Sequence, residues 1–176
     1  LSLQWVEEKT TTLVALVQAG SLDAAVVALE ADLGDLEREI LGRDPFVLVA
    51  PRLHPLGRSR AAVGLDDLRG STVLLLDDGH CFRDQALAVC SASEAQEPGF
   101  RATSLSTLAQ MVAGGAGITL LPRLAVRAEN RGAHLVVRRF VDPAPHRTLA
   151  LAWRRRSPLA AALGQVSVTL REAYAR

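Results

Sequence analysis

Two cysteines, Cys81 and Cys90, carry the most distinctive chemistry in this chain of 176 amino acids, and they stand nine positions apart. If residues 82–89 between them form a helix, nine helical steps separate their Cα atoms by about 13 Å. A disulfide needs those atoms within about 7 Å. The pair can therefore be two separated thiols in one conformation or a bridge in another, but not both on one backbone. Thiols that can be joined only by melting a helical turn make a redox switch. Two buried core cysteines are the ordinary alternative, and count and spacing alone favour it, because the spacing fits no metal template.

The neighbours shift that balance. Asp77, Asp78, Gly79 and His80 precede Cys81 as a turn-and-cap cluster, and Arg83, Asp84 and Gln85 follow it. The cluster puts Cys81 at or just before a helix N-terminus, where exposed N–H groups and the helix dipole favour a thiolate. Arg83 and His80 act in the same direction. Cys90 follows Ala86, Leu87, Ala88 and Val89, an apolar setting that disfavours the ionised form. One cysteine is thus placed to react and the other to wait. Taken alone, His80 reads as an ordinary loop histidine, and Asp77 and Asp78 as caps of the following turn. His54, His134 and His146 make no metal spacing with the cysteines, so neither a metal nor a cofactor is expected. Arg154, Arg155 and Arg156 read as a solvated turn.

The elements that must hold this segment follow from pattern. Hydrophobic residues make up 49% of the chain and aromatics 4%, so the core is mostly Leu, Val and Ala, as in α/β folds. Residues 1–5 alternate as a strand; Thr10 is a candidate N-cap for a helix ended by Gly20; residues 22–29 read as a second strand. This is a β-α-β opening with an expected right-handed crossover. Residues 30–43 are acidic and read as a solvated connection with a short edge strand. Pro45 then leads into a strand at 46–50, residues 51–60 form a loop, and 65–68 a single helical turn closed by Gly70.

Residues 72–76 read as a central strand that delivers the chain to Asp77 and the cysteine segment. Ligand sites of open α/β sheets lie beyond the carboxyl ends of such strands. A polar loop spans 91–99, a strand begins at 100–103, and Ser104 caps a helix broken by Gly114, Gly115 and Gly117. Residues 123–131 are a short basic stretch. Further strands are expected at 118–121, 135–140 and 147–153, joined by the proline-rich connector 142–145, and a helix at 159–175 closes the chain. Proline-marked transitions near Pro45 and Pro143 to Pro145 divide the chain into lobe I, residues 1–46 plus 148–176, and lobe II, residues 47–147, which carries the cysteines. Such a two-lobed protein offers a cleft for a small ligand and for hinge motion.

Net charge is +1, which argues against a nucleic-acid surface spread over the whole molecule. No apolar run reaches the roughly 18 residues of a membrane span, and no signal peptide opens the chain. A soluble, cytoplasmic protein without a membrane role is expected. The absence of an initiator Met suggests a fragment.

The segment GHCFRDQALAVC, followed by FRATSLSTLAQMVAGGAGITLLPRLAV and HRTLALAWRRRSPL, resembles the regulatory domain of the OxyR family, the hydrogen-peroxide sensors among LysR-type transcriptional regulators. The resemblance covers about residues 1–163. Its GHC-x-RDQA phrase with a second Cys nine residues on is specific, whereas the stretch around 114–122 is general to LysR-type proteins. The resemblance implies an α/β fold of two Rossmann-like lobes, of the type II periplasmic-binding-protein-like class. It implies that Cys81 is peroxidatic and Cys90 resolving, with a Cys81–Cys90 disulfide on oxidation. It places Thr10 (or Thr11, in a threonine run that blurs the register), His80, Phe82, Gln85 and Arg147 around the peroxide.

The partners implied are hydrogen peroxide, further copies in a homodimer or homotetramer, and promoter DNA and RNA polymerase through a winged helix-turn-helix domain. That domain, and a first strand and helix, are not in this sequence. Phe82 stands where the family commonly has Leu. The implied role is a stoichiometric sensor and not an enzyme. Three other readings stand beside it: a LysR-type domain that binds a small organic effector in the cleft, a thiol peroxidase, and a periplasmic solute-binding protein. No thioredoxin-like layout supports the second and no secretion signal the third.

Overall fold

A computed structural model describes residues 3–77, 81–96, 99, 101–132 and 134–175, the side chains of Cys81 and Ala92 excepted. The fold is α/β. The chain divides into two compact units, Leu1–Arg43 with Thr148–Arg176, and Asp44–Arg147.

The first unit begins with residues 3–9, which form no strand: Leu3, Trp5 and Val6 are 56%, 76% and 53% exposed. Their alternation predicted a strand, but no neighbouring strand among the described residues pairs with them. Helix α1 (Thr10–Ala19) follows. Its N-cap is Lys9, which makes no side-chain cap hydrogen bond, so Thr10 is the first helical residue and not the cap. Gly20 ends the helix in the left-handed region (φ 83°), donating to the carbonyls of Leu16 and Val17. Strand β1 (Ala24–Ala28) is the second strand expected, although it pairs antiparallel with the last strand, Ala24 opposite Trp153 and Ala28 opposite Leu149. No β-α-β crossover forms here, because the strand meant to start it is not among the described strands.

Strand β5 (His146–Trp153) and helix α5 (Ala160–Tyr174) complete this unit. One side of the β1–β5 pair packs Val27 and Ala152 with Val14 and Val17 of α1. The other packs Leu149, Leu151 and Trp153 with Leu163, Val166 and Leu170 of α5. The period-2 alternation of β5 thus fills two cores.

Strand β2 (Glu37–Ala50) is the largest departure from the sequence reading. It runs 14 residues, through Pro45, where a solvated connection and a short strand were expected. Its first half is mostly exposed and charged, with two Glu and two Arg, and its second half buried, which disguised one strand as two segments. Proline is tolerated because the ladders to the second unit's strands start after it. Phe46 to Val49 pair with Pro122 to Thr119 of β3 (Thr119–Pro122), and Val47 to Ala50 with Arg139 to Val136 of β4 (Val136–Arg139).

In the second unit, residues 71–77 lie between two parallel neighbours. Leu74 N donates to Ile118 O (2.8 Å) and Ile118 N to Thr72 O (2.9 Å); Val73 N donates to Gln96 O (2.9 Å) and Asp77 N to Ala102 O (2.9 Å). Val73, Leu74, Leu75 and Leu76 are all buried, as a strand with both faces covered requires. Helix α2 (Cys81–Ala92) and α3 (Leu105–Ala113) cover it, with Phe82, Ala86, Val89, Leu108 and Val112 in the same core. Ser104 caps α3 as expected, its Oγ accepting from Thr107 N (3.1 Å). The basic stretch after Pro122 is a helix, α4 (Arg123–Glu129), which lacked an apolar stripe to announce it and buries no residue.

Candidate functional site

The site is built from the end of the 71–77 strand onward. Asp77 is fixed to Ala102 by its backbone, Asp78, Gly79 and His80 lie outside the described residues, and α2 begins at Cys81. The helix expected over 82–89 is present and longer, continuing through Cys90 to Ala92. Nine unbroken helical steps then hold the Cα atoms of Cys81 and Cys90 about 13 Å apart along the axis, near opposite sides of it.

Phe82, Ala86, Val89, Cys90 and Ser93 are buried, a spacing of one face, while Asp84, Ala88 and Ser91 are exposed. Phe82 packs edge-on against Phe46 of β2, ring centroids 5.3 Å apart at 77°, and so locks the first turn of α2 to the sheet. Cys90 is a thiol within the core cluster. Gln85 is half-buried on the same helix, and Arg83 is buried beside Phe82. Asp84 puts a carboxylate in the first turn.

Arg147, at the start of β5, is held by a residue that sequence reasoning missed. Its Nε and Nη2 donate to Asp44 Oδ2 at 3.0 and 2.9 Å, and Leu124 N at the start of α4 donates to Asp44 Oδ1 at 3.1 Å. Asp44 is fully buried. A lone acid directly before Pro45, among residues bound for the core, was the only trace of it in the sequence.

Thr10 and Thr11 are the first two residues of α1 in the first unit, Thr10 half-buried and Thr11 exposed. Cys81, Phe82, Gln85, Cys90 and Arg147 all belong to the second. The structure brings the first four together on one helix and sets Arg147 against Asp44.

The second unit also holds a cavity of about 570 Å³, lined by residues 51–55, 113–115, His134 and Leu135 and by none of the candidate residues. Arg138 fixes its loop by donating to the carbonyls of Leu56, Ala61 and Ala62. His54 Nδ1 accepts from Leu56 N (3.2 Å), and burial lowers its pKa below the usual histidine range. Among the described residues no cluster of three or more His, Cys, Asp or Glu side chains could hold a metal ion.

The chain belongs to the LysR substrate binding domain family, whose model matches residues 1–175. Within it, the chain is similar to a protein of Streptomyces viridosporus named probable hydrogen peroxide-inducible genes activator, 43% identical over 98% of this chain and 56% of that one. It is also similar to the crystal structure of the reduced form of OxyR (TM-score 0.84, 38% identity, 95% of this chain and 78% of that one). The oxidized form of OxyR matches with a TM-score of 0.80 and 39% identity, over 94% and 78% of the two chains. The chain spans about half the length of the curated relatives it matches.

Proposed function

We propose that this chain is the hydrogen-peroxide-sensing regulatory domain of an OxyR-type transcriptional regulator, acting in the cytoplasm as a stoichiometric sensor. Cys81 is the peroxidatic residue. As a thiolate favoured by the N-terminus of α2, it attacks one peroxide oxygen. An S–O bond forms, the O–O bond breaks, and the departing hydroxide leaves as water after taking up a proton. His80 and Thr10, or Thr11 in its place, assist that protonation. Arg147, oriented by Asp44, favours the charged sulfur, and Phe82 and Gln85 shape the surroundings. Cys90 then resolves the sulfenic acid to a disulfide.

The observation that carries the reading is the unbroken α2 with Cys90 buried in the core. A disulfide would require this helix to unwind, so oxidation is stored as refolding of residues 81–92. Solved relatives named as reduced and oxidized forms of one regulator support a two-state domain. The refolded surface alters contacts with a second copy in a homodimer or homotetramer, and through the longer protein alters engagement of promoter DNA and RNA polymerase.

Peroxide treatment followed by non-reducing peptide mapping is the test. A Cys81–Cys90 bridge is expected as the main product, absent after either Cys81→Ser or Cys90→Ser. Unlinked thiols, or chiefly intermolecular bridges, would overturn the proposal.

A further inference from the structure

Cys90 is the residue whose carbonyl closes helix α2. That oxygen accepts from Ser93 N (3.1 Å), Ser93 Oγ (3.0 Å) and Ala95 N (3.2 Å). The bond from Ala95 spans the helix end as in a Schellman motif, which needs the intervening residue in the left-handed region. Glycine is the usual occupant; here it is Glu94, at φ 52°. A Cβ is disfavoured in that conformation, and the Glu94 carboxylate pairs with an exposed Arg69 at 3.4 Å, a contact of little worth. Ser93, by contrast, is 2% exposed, and its backbone N–H is also shared with Val89 O (3.1 Å). Immediately beyond, Gln96 N donates to Ser71 O (3.0 Å) and Gln96 O accepts from Val73 N (2.9 Å), which anchors the chain in the strand ladder. The cap is therefore the junction between a segment that must move and one that is fixed.

We propose that this C-terminal cap sets how readily Cys90 leaves α2, and so the peroxide level at which the segment switches. Ser93 is the latch and Glu94 the built-in weak point. The inference rests on the reading of Cys81 and Cys90 as the reacting pair. In the step concerned, the Cys90 sulfur attacks the sulfenic sulfur of Cys81: the S–S bond forms, the S–O bond breaks, and hydroxide leaves as water with the proton of Cys90. Over both steps the two thiols lose two electrons, and these reduce one hydrogen peroxide to two waters. Ser93 and Glu94 are positioning residues that act through the Cys90 backbone.

The test is rapid mixing of the protein with hydrogen peroxide, with Cys81 sulfenic acid trapped by a cyclic dione and the disulfide quantified separately in quenched samples. Wild type, Ser93→Ala and Glu94→Gly are compared. Sulfenic acid formation is expected to be unchanged in all three. Disulfide formation is expected to be about threefold faster in Ser93→Ala, which loses one buried hydrogen bond, and slower by a similar factor in Glu94→Gly, which relieves the left-handed residue. Equilibration against glutathione should move the first variant toward disulfide and the second toward dithiol. Equal second-step rates and equilibria in all three proteins, or both variants moving the same way, overturn the cap proposal. A wild type that forms no Cys81–Cys90 bridge overturns the reading beneath it instead. Should Ser93→Ala fail to fold, Glu94→Gly still decides, because it removes strain and leaves no cavity.

Discussion

Asp44 and Arg147 form an uneven pair: the carboxylate is wholly buried while the Arg147 side chain is 21% exposed. Removing the arginine strands a charge that water cannot reach, whereas removing both charges does not. Arg147→Ala is therefore expected to cost about 3 kcal/mol or more in urea unfolding, and adding Asp44→Asn should return part of it. A cost below about 1 kcal/mol would reduce the pair to the worth of a surface bridge. In a peroxide assay, Arg147→Ala should also slow the first oxidation of Cys81 if the guanidinium favours the thiolate. Arg147 could be picked out by resemblance in the sequence, but Asp44 could not. The two are 103 residues apart, and no local spacing links them.

Among the elements, the 71–77 strand owes its place to a close approach. Gly117 sits at φ 155°, and a Cβ there would lie 2.5 Å from Thr72 O, the atom that receives Ile118 N. Gly117→Ala should force the ladder apart and cost about 2 kcal/mol in thermal or urea unfolding; an unchanged midpoint would mean that the backbone shifts freely. The sequence marked Gly117 only as a helix breaker. Helix α2 was legible from the turn-and-cap cluster before Cys81, and α3 from Ser104, because capping is local. Strand β2 was not: its exposed, charged first half and its Pro45 suggest a loop, and pairing with distant segments, β5 as well as β3 and β4, decides otherwise.

At the scale of the whole molecule, the chain passes between its units twice, in β2 and at the start of β5. If oxidation is stored in α2 alone, hydrogen exchange should separate the units. Peroxide treatment is expected to strip protection from amides 82–95 while the β1 and β5 amides keep theirs. Loss spread evenly over both units would mean that switching is global unfolding and not a local change.

The sequence by itself determined what acts within a turn or two: a helix carrying two cysteines nine residues apart, the glycine that ends α1, the serine that opens α3, and the apolar run of the 71–77 strand. Helical rise, capping and burial period depend on near neighbours, so those readings survive without coordinates. Only the tertiary structure decided that β1 lies antiparallel to β5, that β2 continues through Pro45, and that Asp44 lies against Arg147. Each depends on a partner supplied by a distant segment, and burial, which no short stretch encodes, is what makes those partners necessary.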